Sequence, residues 1–283
     1  MNNIANIEPV DYLIIGHITQ DILPKGFALG GTASYSALTA AALGLRVGLV
    51  TSCAPDLELP ELEKVTVVRK EAIHSTTFEN IYTPKGRVQF LHNQAAMITS
   101  EDIPAKWKNT PIVHLGPVAQ EVDPSLASFF PHSFVGVTPQ GWLRDWDDQG
   151  KVFPCKWADY KSVLAHSNAA ILSLEDVSSD EDEIQQFAEA VPILVITYGE
   201  ADARVYWNGD IRVFRPPHKK EVDATGAGDI FATSFFFRYS QTRDPWESAR
   251  FATAIAANSV TRKALQGVPT QDEIKTITSQ IVK

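Results

Sequence analysis

Six short apolar runs, each followed by turn or helix signals, constrain the fold of this chain more than any other feature of its sequence. The runs are DYLIIG (11–16), RVGLVTS (46–52), IVHLG (112–116), FVGVT (134–138), AAILSL (169–174) and ILVITY (193–198). Strands buried on both faces have this near-continuous apolar character, because helices cover both sides of a parallel sheet. The pattern therefore predicts an α/β fold with a central, mainly parallel sheet flanked by helices.

Helices and one hairpin are predicted between and after these runs. The segment Thr32–Leu43 is rich in alanine and is followed by a glycine, so we expect a helix with Thr32 as its N-cap. Ala203–Arg215 is predicted to be a β-hairpin, because the pair Asn208-Gly209 tolerates the positive φ angles of a type I′ turn. Two helices, at about 246–263 and 270–281, are expected to close the chain.

The stretch from Val65 to Ile98 has a different pattern, in which polar and apolar residues alternate. Its segments are VTVVRK (65–70), STTFENIY (75–82) and RVQFLHN (87–93), with Pro84-Lys85-Gly86 between the last two. Alternation predicts antiparallel strands that are exposed on one face. A small β appendage that could cover a site is the natural interpretation. Since no linker separates it from the body, we expect one domain over residues 1–283.

Charge and motif content exclude several classes of protein. The net charge is −9, so the chain has no electrostatic footprint for nucleic acid. No apolar stretch approaches the roughly 18 residues of a membrane-spanning helix, and the N-terminus lacks the segments of a signal peptide, so we expect a cytoplasmic protein without a membrane partner. P-loop NTPases, dinucleotide-dependent dehydrogenases and zinc enzymes are disfavoured, because the sequence lacks G-x-x-x-x-G-K-[ST], a G-x-G-x-x-G turn after the first strand, and HxxxH or HExxH.

The segment EVDATGAGDIFATSFFFRYS (221–240) carries the strongest functional signal. Gly226, Ala227 and Gly228 precede Asp229 and an apolar stretch of helix length. Small residues at a helix N-terminus leave amide groups free and let a bulky anion approach, and the helix dipole favours negative charge there. A phosphate fits this position, and Asp229 could accept a proton from an attacking hydroxyl, as in a kinase. The same residues also fit an ordinary helix start with a favourable acid in its first turn.

Three motifs, in the correct order, resemble those of the ribokinase-like carbohydrate kinases, the PfkB family. DATGAGD (223–229) resembles the signature D-[TA]-x-G-A-G-D, GGTASYSA (30–37) with Leu43-Gly44 resembles the N-terminal glycine-pair motif, and AANSVTRK (256–263) ahead of VPT (268–270) resembles the region that borders the adenine. The resemblance implies a ribokinase-like three-layer sandwich with a small β-sheet lid, formed by strands from about 17–30 and 65–100. It also implies an ATP-dependent kinase that phosphorylates a hydroxyl of a small sugar or cyclitol.

The same resemblance implies roles for individual residues. Asp229 matches the catalytic base, and the backbone amides of Ala227 and Gly228 match the anion hole beside it. Gly226 is counted with them among the catalytic residues of the motif. The substrate-facing positions match Asp21, Gly30 and Gly31. Asp21 suits this role because a carboxylate accepts two O–H donors.

For the nucleotide, the resemblance implies binding by Thr197, Gly199 and Asn258, although Ala201-Asp202-Ala203 replaces a second glycine that many members have. The acidic residue that organises Mg²⁺ in the family's N-x-x-E motif matches Glu175 or Asp176, within SLED (173–176).

Arg144 is a further candidate, for contact with the substrate or a phosphate. It follows the FVGVT run, at the sheet edge where open α/β sheets place ligands, although a surface arginine fits its position equally well.

Three functions stay open: a sugar or cyclitol kinase, a nucleoside kinase on the same fold, and a non-catalytic sugar or nucleotide sensor. The lid segments STTFENIY and RVQFLHNQAAMI resemble the inositol-kinase-like branch. Besides ATP and Mg²⁺, the resemblance leaves open a requirement for a monovalent cation. It also leaves open the pairing of two copies through exposed lid strands, whose unpaired edges invite association.

Overall fold

The computed structural model describes residues 7–83 and 86–281. Within them the strands are β1 (Tyr12–Ile15), β2 (Thr19–Ile22), β3 (Phe27–Gly30), β4 (Val47–Cys53), β5 (Thr66–Glu71), β6 (Thr76–Thr83), β7 (Gly86–Asn93), β8 (Ile112–Leu115), β9 (Phe134–Val137), β10 (Arg144–Trp146), β11 (Val152–Pro154), β12 (Ala169–Ser173), β13 (Ile193–Thr197), β14 (Ala203–Trp207) and β15 (Asp210–Phe214). The α-helices are α1 (Gly31–Ala42), α2 (Leu126–Phe129), α3 (Tyr160–Leu164), α4 (Glu181–Ala190), α5 (Ala227–Thr242), α6 (Pro245–Ser259) and α7 (Gln271–Ile281).

The central sheet has nine strands, in the order β15-β14-β13-β12-β9-β8-β1-β4-β5. Neighbouring strands from β13 to β5 are parallel, whereas β14 and β15 are antiparallel. The six apolar runs all contribute strands to this sheet, and strands such as β1 and β4 are buried along their whole length. The structure therefore confirms the predicted, mainly parallel sheet.

Helices cover both faces of the central sheet. Successive side chains of a strand point to opposite faces, so Tyr12 and Ile14 of β1 pack with α1, α5 and α6, while Leu13 and Ile15 belong to the core formed with α2, α3 and α4. The helix α7 packs on α6 through Ile277. The result is the predicted three-layer sandwich.

The predicted hairpin and C-terminal helices are also present. Asn208 and Gly209 have φ angles of 51° and 81°, as a type I′ turn requires, and they join β14 to β15. The first closing helix ends at Ser259, four residues before the predicted end at 263.

A second sheet, called the lid here, consists of β2, β3, β6 and β7 in the order β3-β2-β6-β7. The predicted antiparallel strands in STTFENIY and RVQFLHN are β6 and β7. The prediction was wrong for VTVVRK, since β5 pairs in parallel with β4 in the central sheet. As the edge strand of that sheet β5 is only half buried, and this explains its alternating pattern. Pro84 and Lys85 of the predicted turn lie outside the described residues.

A hairpin that the sequence analysis did not predict, β10–β11, joins the lid to the body. The Leu91 amide of β7 donates a hydrogen bond of 2.7 Å to the Gly150 carbonyl in the hairpin turn. Trp146 and Val152 of the hairpin pack against an apolar cluster that includes Phe78 and Leu91 of the lid. With only three residues in each strand, the hairpin leaves too short a pattern in the sequence to be recognised.

Two observations bear on possible partners. Phe27 and Ile81, on lid strands, are among the exposed large apolar side chains, but the pairing of two copies through the lid stays a prediction. No helix in the described part of the chain is long and apolar enough to cross a membrane.

Candidate active site

The N-terminus of α5 presents the predicted catalytic segment. Asp229 lies in the first turn of α5, and the N-cap residue Gly226 has a φ angle of 77°, a left-handed conformation that glycine adopts without strain. A Cβ atom added to Gly226 would overlap the ring of Tyr35 on α1. Glycine is therefore needed here both for its backbone conformation and for the close approach of the two helices.

Two amide groups at this helix start are free to bind an anion. The amides of Gly228 and Asp229 donate to no protein acceptor within the described residues, and the position of a Cβ on Gly228 faces open space. The amide of Ala227, a predicted member of the anion hole, instead donates to the Ala224 carbonyl at 3.1 Å. The free donors at the positive end of α5 thus belong to Gly228 and Asp229.

Burial raises the pKa of Asp229 to about 6. A hydrogen bond with Thr32 opposes this rise, the charge of Asp176 adds to it, and the charge of Arg144 lowers the pKa again. Thr32 was predicted to cap α1, but the N-cap residue is Gly30, and the Thr32 side chain makes no capping hydrogen bond. The side chain of Thr32 instead interacts with the carboxyl group of Asp229 and lowers its pKa.

The three substrate-side candidates lie together at the base of the lid. Asp21 of β2 pairs with β3, and a Cβ on Gly30 would overlap the Asp21 carboxylate. A Cβ on Gly31 would lie 2.7 Å from the His17 carbonyl oxygen. Burial raises the pKa of Asp21, while a hydrogen bond from Thr19 and the charge of Arg87 lower it. The glycine pair thus allows α1 to approach the strand that carries the Asp21 carboxylate.

Arg144 connects the lid to the edge of the central sheet. Its side chain is 14% exposed, and its Nη1 donates to Oε1 of Gln89 on β7 at 3.2 Å. Its Nη2 lies 4.0 Å from Oδ1 of Asp176, which also accepts a weak bond of 3.4 Å from Gln140. Burial lowers the pKa of the guanidinium, and the charges of Asp176, Asp229 and Glu175 oppose this. Arg144 is therefore buried within reach of the Asp229 charge, rather than being a surface arginine.

The two acidic candidates for Mg²⁺ have different surroundings. Oδ2 of Asp176 accepts hydrogen bonds of 2.9 Å from both the amide and the hydroxyl of Ser173, at the end of β12. The neighbouring Glu175 is exposed. Among the described residues there is no group of three or more His, Cys, Asp or Glu side chains arranged to hold a metal ion. A single exposed carboxylate fits Mg²⁺ that is held mainly by phosphate groups and water.

The nucleotide-side candidates are placed on two elements. Thr197 ends β13 directly beside Ser173 of β12, and Gly199 follows it in an exposed loop. Asn258 is half-buried near the end of α6. No hydrogen bond in the described part of the chain links Asn258 to Thr197 or Gly199.

Asp223, the first residue of the DATGAGD motif, connects the loop before α5 to the segment after α6. Its two carboxylate oxygens accept 2.9 Å bonds from the amides of Thr225 and Ala264. These hydrogen bonds, with the help of the Lys263 charge, hold the pKa of Asp223 below its usual value against the opposing effect of burial. Asp223 thereby links the catalytic motif DATGAGD to the residue that directly follows AANSVTRK, the motif that resembles the adenine-bordering region.

Comparison with known proteins shows which family this chain resembles. Residues 151–271 match the pfkB family carbohydrate kinase profile. A cytidine kinase of Thermococcus kodakarensis is 27% identical over 267 residues, which cover 85% of this chain and 92% of that protein. Fructokinase-1 of Oryza sativa subsp. japonica is 29% identical over 129 residues, or 41% of this chain and 39% of that protein.

Solved structures share the fold. A pyrophosphate-dependent kinase of the ribokinase family, complexed with a pyrophosphate analog and myo-inositol, has a TM-score of 0.79 and 18% identity, over 93% of this chain and 99% of that one. A ribokinase from Thermotoga maritima has a TM-score of 0.74 and 20% identity, over 95% of this chain and 99% of that one. These findings confirm the predicted family resemblance, the ribokinase-like fold and the assignment to the carbohydrate kinase class.

Proposed function

We propose that this chain, which carries a PfkB family carbohydrate kinase domain, transfers the terminal phosphoryl group of ATP to a hydroxyl of a small sugar or cyclitol. The observation that carries the proposal is the start of α5, where a carboxyl group with a pKa of about 6 adjoins two free amides. A base with a pKa near the working pH is suited to accept a proton, and free amides at a helix N-terminus are suited to bind phosphate oxygens.

In the proposed mechanism, Asp21 accepts hydrogen bonds from acceptor hydroxyls and so orients the molecule beneath the lid. Asp229 then takes the proton of the reacting hydroxyl as the hydroxyl oxygen bonds to the terminal phosphorus atom of ATP. The bond between that phosphorus and the bridging oxygen breaks, and ADP leaves. The amides of Gly228 and Asp229, together with the Arg144 guanidinium, stabilise the negative charge on the phosphoryl oxygens. Positioning and charge stabilisation supply most of the catalysis in such a transfer.

Of the two acidic candidates, Glu175 is the residue that we propose to hold Mg²⁺. Asp176 already accepts two hydrogen bonds from Ser173 and faces Arg144, so it is better placed to orient neighbouring groups than to bind metal. When bound, Mg²⁺ would neutralise part of the negative charge of the donor phosphates. Thr197, Gly199 and Asn258 are proposed to contact the nucleotide.

A nucleoside acceptor is the second candidate. It is supported by the Thermococcus kodakarensis cytidine kinase, which aligns with 85% of this chain. The first candidate, with a cyclitol as acceptor, is supported by the structural neighbour that was complexed with myo-inositol.

A panel of acceptors tests the proposed function. We expect ADP release from ATP and Mg²⁺ with at least one of myo-inositol, ribose, fructose and cytidine, because the site combines a base, an anion-binding helix start and an acceptor-orienting carboxylate. The same panel with pyrophosphate as donor is the control for donor choice. Turnover with pyrophosphate alone would contradict the ATP assignment, and acceptor binding by calorimetry without any turnover would favour a sensor.

The pH dependence of the reaction is predicted by the raised pKa of Asp229. The base acts in its ionised form, so kcat/KM should be constant at pH values well above 6. It should fall as the pH drops through about 6, because Asp229 becomes protonated. Well below that value the fall should approach about tenfold per pH unit. Enzyme kept at low pH and assayed after return to neutral pH controls for unfolding. A profile that stays flat down to about pH 5 would contradict the role of Asp229 as base.

A further inference from the structure

Glu121 is a buried carboxylate that none of the roles above uses. Its residue is fully buried, and its two oxygens accept hydrogen bonds from three backbone amides. Oε1 accepts from His17 at 2.9 Å and from Val118 at 3.1 Å, while Oε2 accepts from Val118 at 3.0 Å and from Ala119 at 2.7 Å. No lysine, arginine or histidine in the described part of the chain forms an ion pair with it.

A charge buried without a counter-ion is costly, and charge-assisted hydrogen bonds must offset the loss of hydration. The bonds to Glu121 join two segments just beyond the ends of the paired strands β1 and β8, where the hydrogen bonds of the sheet stop. His17 leaves β1 toward the lid, whereas Val118 and Ala119 follow β8. The carboxylate of Glu121 therefore fixes the distance between the start of the lid and the loop after β8.

His17 carries this constraint to the substrate-side residues. A Cβ on Gly31 would lie only 2.7 Å from the His17 carbonyl oxygen, so His17 packs closely against the start of α1. A shift of His17 would therefore displace the start of α1. Its ring nitrogens bond the Thr76 hydroxyl of β6 at 2.6 Å and the Ala96 carbonyl at 2.9 Å, so the same residue also holds the lid. Asp21 follows on β2, against Gly30.

The loop after β8, with Val118 and Ala119, also contacts the lid. Val118 and Ala119 form an apolar cluster with Phe78 and Leu91 of the lid. The Gln94 side chain bonds the Ala119 carbonyl, and Gln120, with a φ angle of 57°, bonds the Arg144 carbonyl. Both segments that Glu121 joins thus contact the lid, which covers the proposed acceptor site.

We infer that Glu121 is a positioning residue for the acceptor half of the site, acting through His17 and through the Val118–Ala119 loop. The inference rests on the proposed function, because it assigns Asp21 and the glycine pair to the acceptor. The donor half, at Thr197 and at the start of α5, makes no hydrogen bond with Glu121.

The test is Glu121→Gln, which keeps the size of the side chain but places an NH₂ group against backbone N–H donors. We expect KM for the acceptor found in the panel to rise about tenfold or more, the loss expected from disrupting charge-assisted hydrogen bonds, with KM for ATP unchanged. Glu247→Gln is the matched control, since Glu247 is a partly buried glutamate on α6 that pairs with Arg238. Arg238 lies on α5, nine residues after Asp229, and neither residue is assigned to the reaction. It should change neither KM.

Hydrogen exchange gives a readout that does not depend on activity. The amides of His17, Val118 and Ala119 should exchange faster in Glu121→Gln than in the parent or in Glu247→Gln. If Glu121→Gln does not fold, Glu121→Asp, which retracts the charge by one methylene, should show the same KM split and the same faster exchange. Unchanged exchange, or an unchanged acceptor KM in a folded variant, would overturn the inference. A parent without turnover on any acceptor contradicts the proposed function instead, and the exchange result then decides on the positioning of the two segments.

Discussion

Replacing Asp229 by asparagine is expected to lower kcat by about 10²- to 10⁴-fold, the usual contribution of a general base. Asparagine has nearly the same shape as aspartate but does not accept the proton of the attacking hydroxyl. The measurement is kcat with saturating ATP and the acceptor that the panel identifies, together with thermal unfolding of each variant.

The same change should leave the folded state at least as stable at neutral pH. The raised pKa of Asp229 means that its ionised form is disfavoured in the folded state, a cost that is absent at low pH and is reached in full above about pH 6. Asparagine carries no such cost. Lower activity in Asp229→Asn therefore cannot be attributed to unfolding.

Asp102→Asn is the matched control for this prediction. The Asp102 side chain is 17% exposed and pairs with Lys70 at 2.9 Å, outside the residues assigned to the reaction. The control should keep the parent kcat while losing some stability, the reverse of the effect expected at Asp229. A kcat in Asp229→Asn equal to that of the parent would remove Asp229 from the mechanism.

The parts of the fold that the sequence predicted are those with a local cause. A strand such as β1 is buried on both faces, so it must be apolar along its whole length, and that requirement is legible in the sequence without knowledge of its neighbours. The turn at Asn208-Gly209 likewise depends on two φ angles that few residues adopt. The start of α5 is similar, because Gly226 needs a positive φ angle within the motif itself.

The features that were mispredicted or missed depend on partners distant in sequence. An alternating segment such as β5 fits a lid strand as well as a half-covered edge of the main sheet, and only its pairing with β4 distinguishes them. The hydroxyl of Thr32 looked like a helix cap, but its partner is the carboxyl group of Asp229. Glu121 gave no signal at all, because backbone amides have no sequence signature as hydrogen-bond donors.

The second large effect is expected from Gly226→Ala. A non-glycine residue in the left-handed conformation costs about 1–2 kcal/mol, and forcing a methyl group into a packed position costs about 1–3 kcal/mol more. The added Cβ would overlap the Tyr35 ring, so the start of α5 must move away from α1. We therefore expect both a lower free energy of unfolding, measured by urea denaturation, and a fall in kcat of at least about tenfold, because misplacing reacting groups by about 1 Å is costly.

Gly209→Ala separates the two causes. Gly209 has a φ angle of 81°, close to that of Gly226, but a Cβ there would meet nothing within 4 Å. This control carries the backbone cost alone, in the turn between β14 and β15, and should keep the parent kcat. The difference in free energy of unfolding between the two variants measures the contact of Gly226 with Tyr35. If the two variants lose the same stability, Tyr35 does not restrict the start of α5, and any fall in kcat for Gly226→Ala must come from the backbone of the anion-binding segment itself.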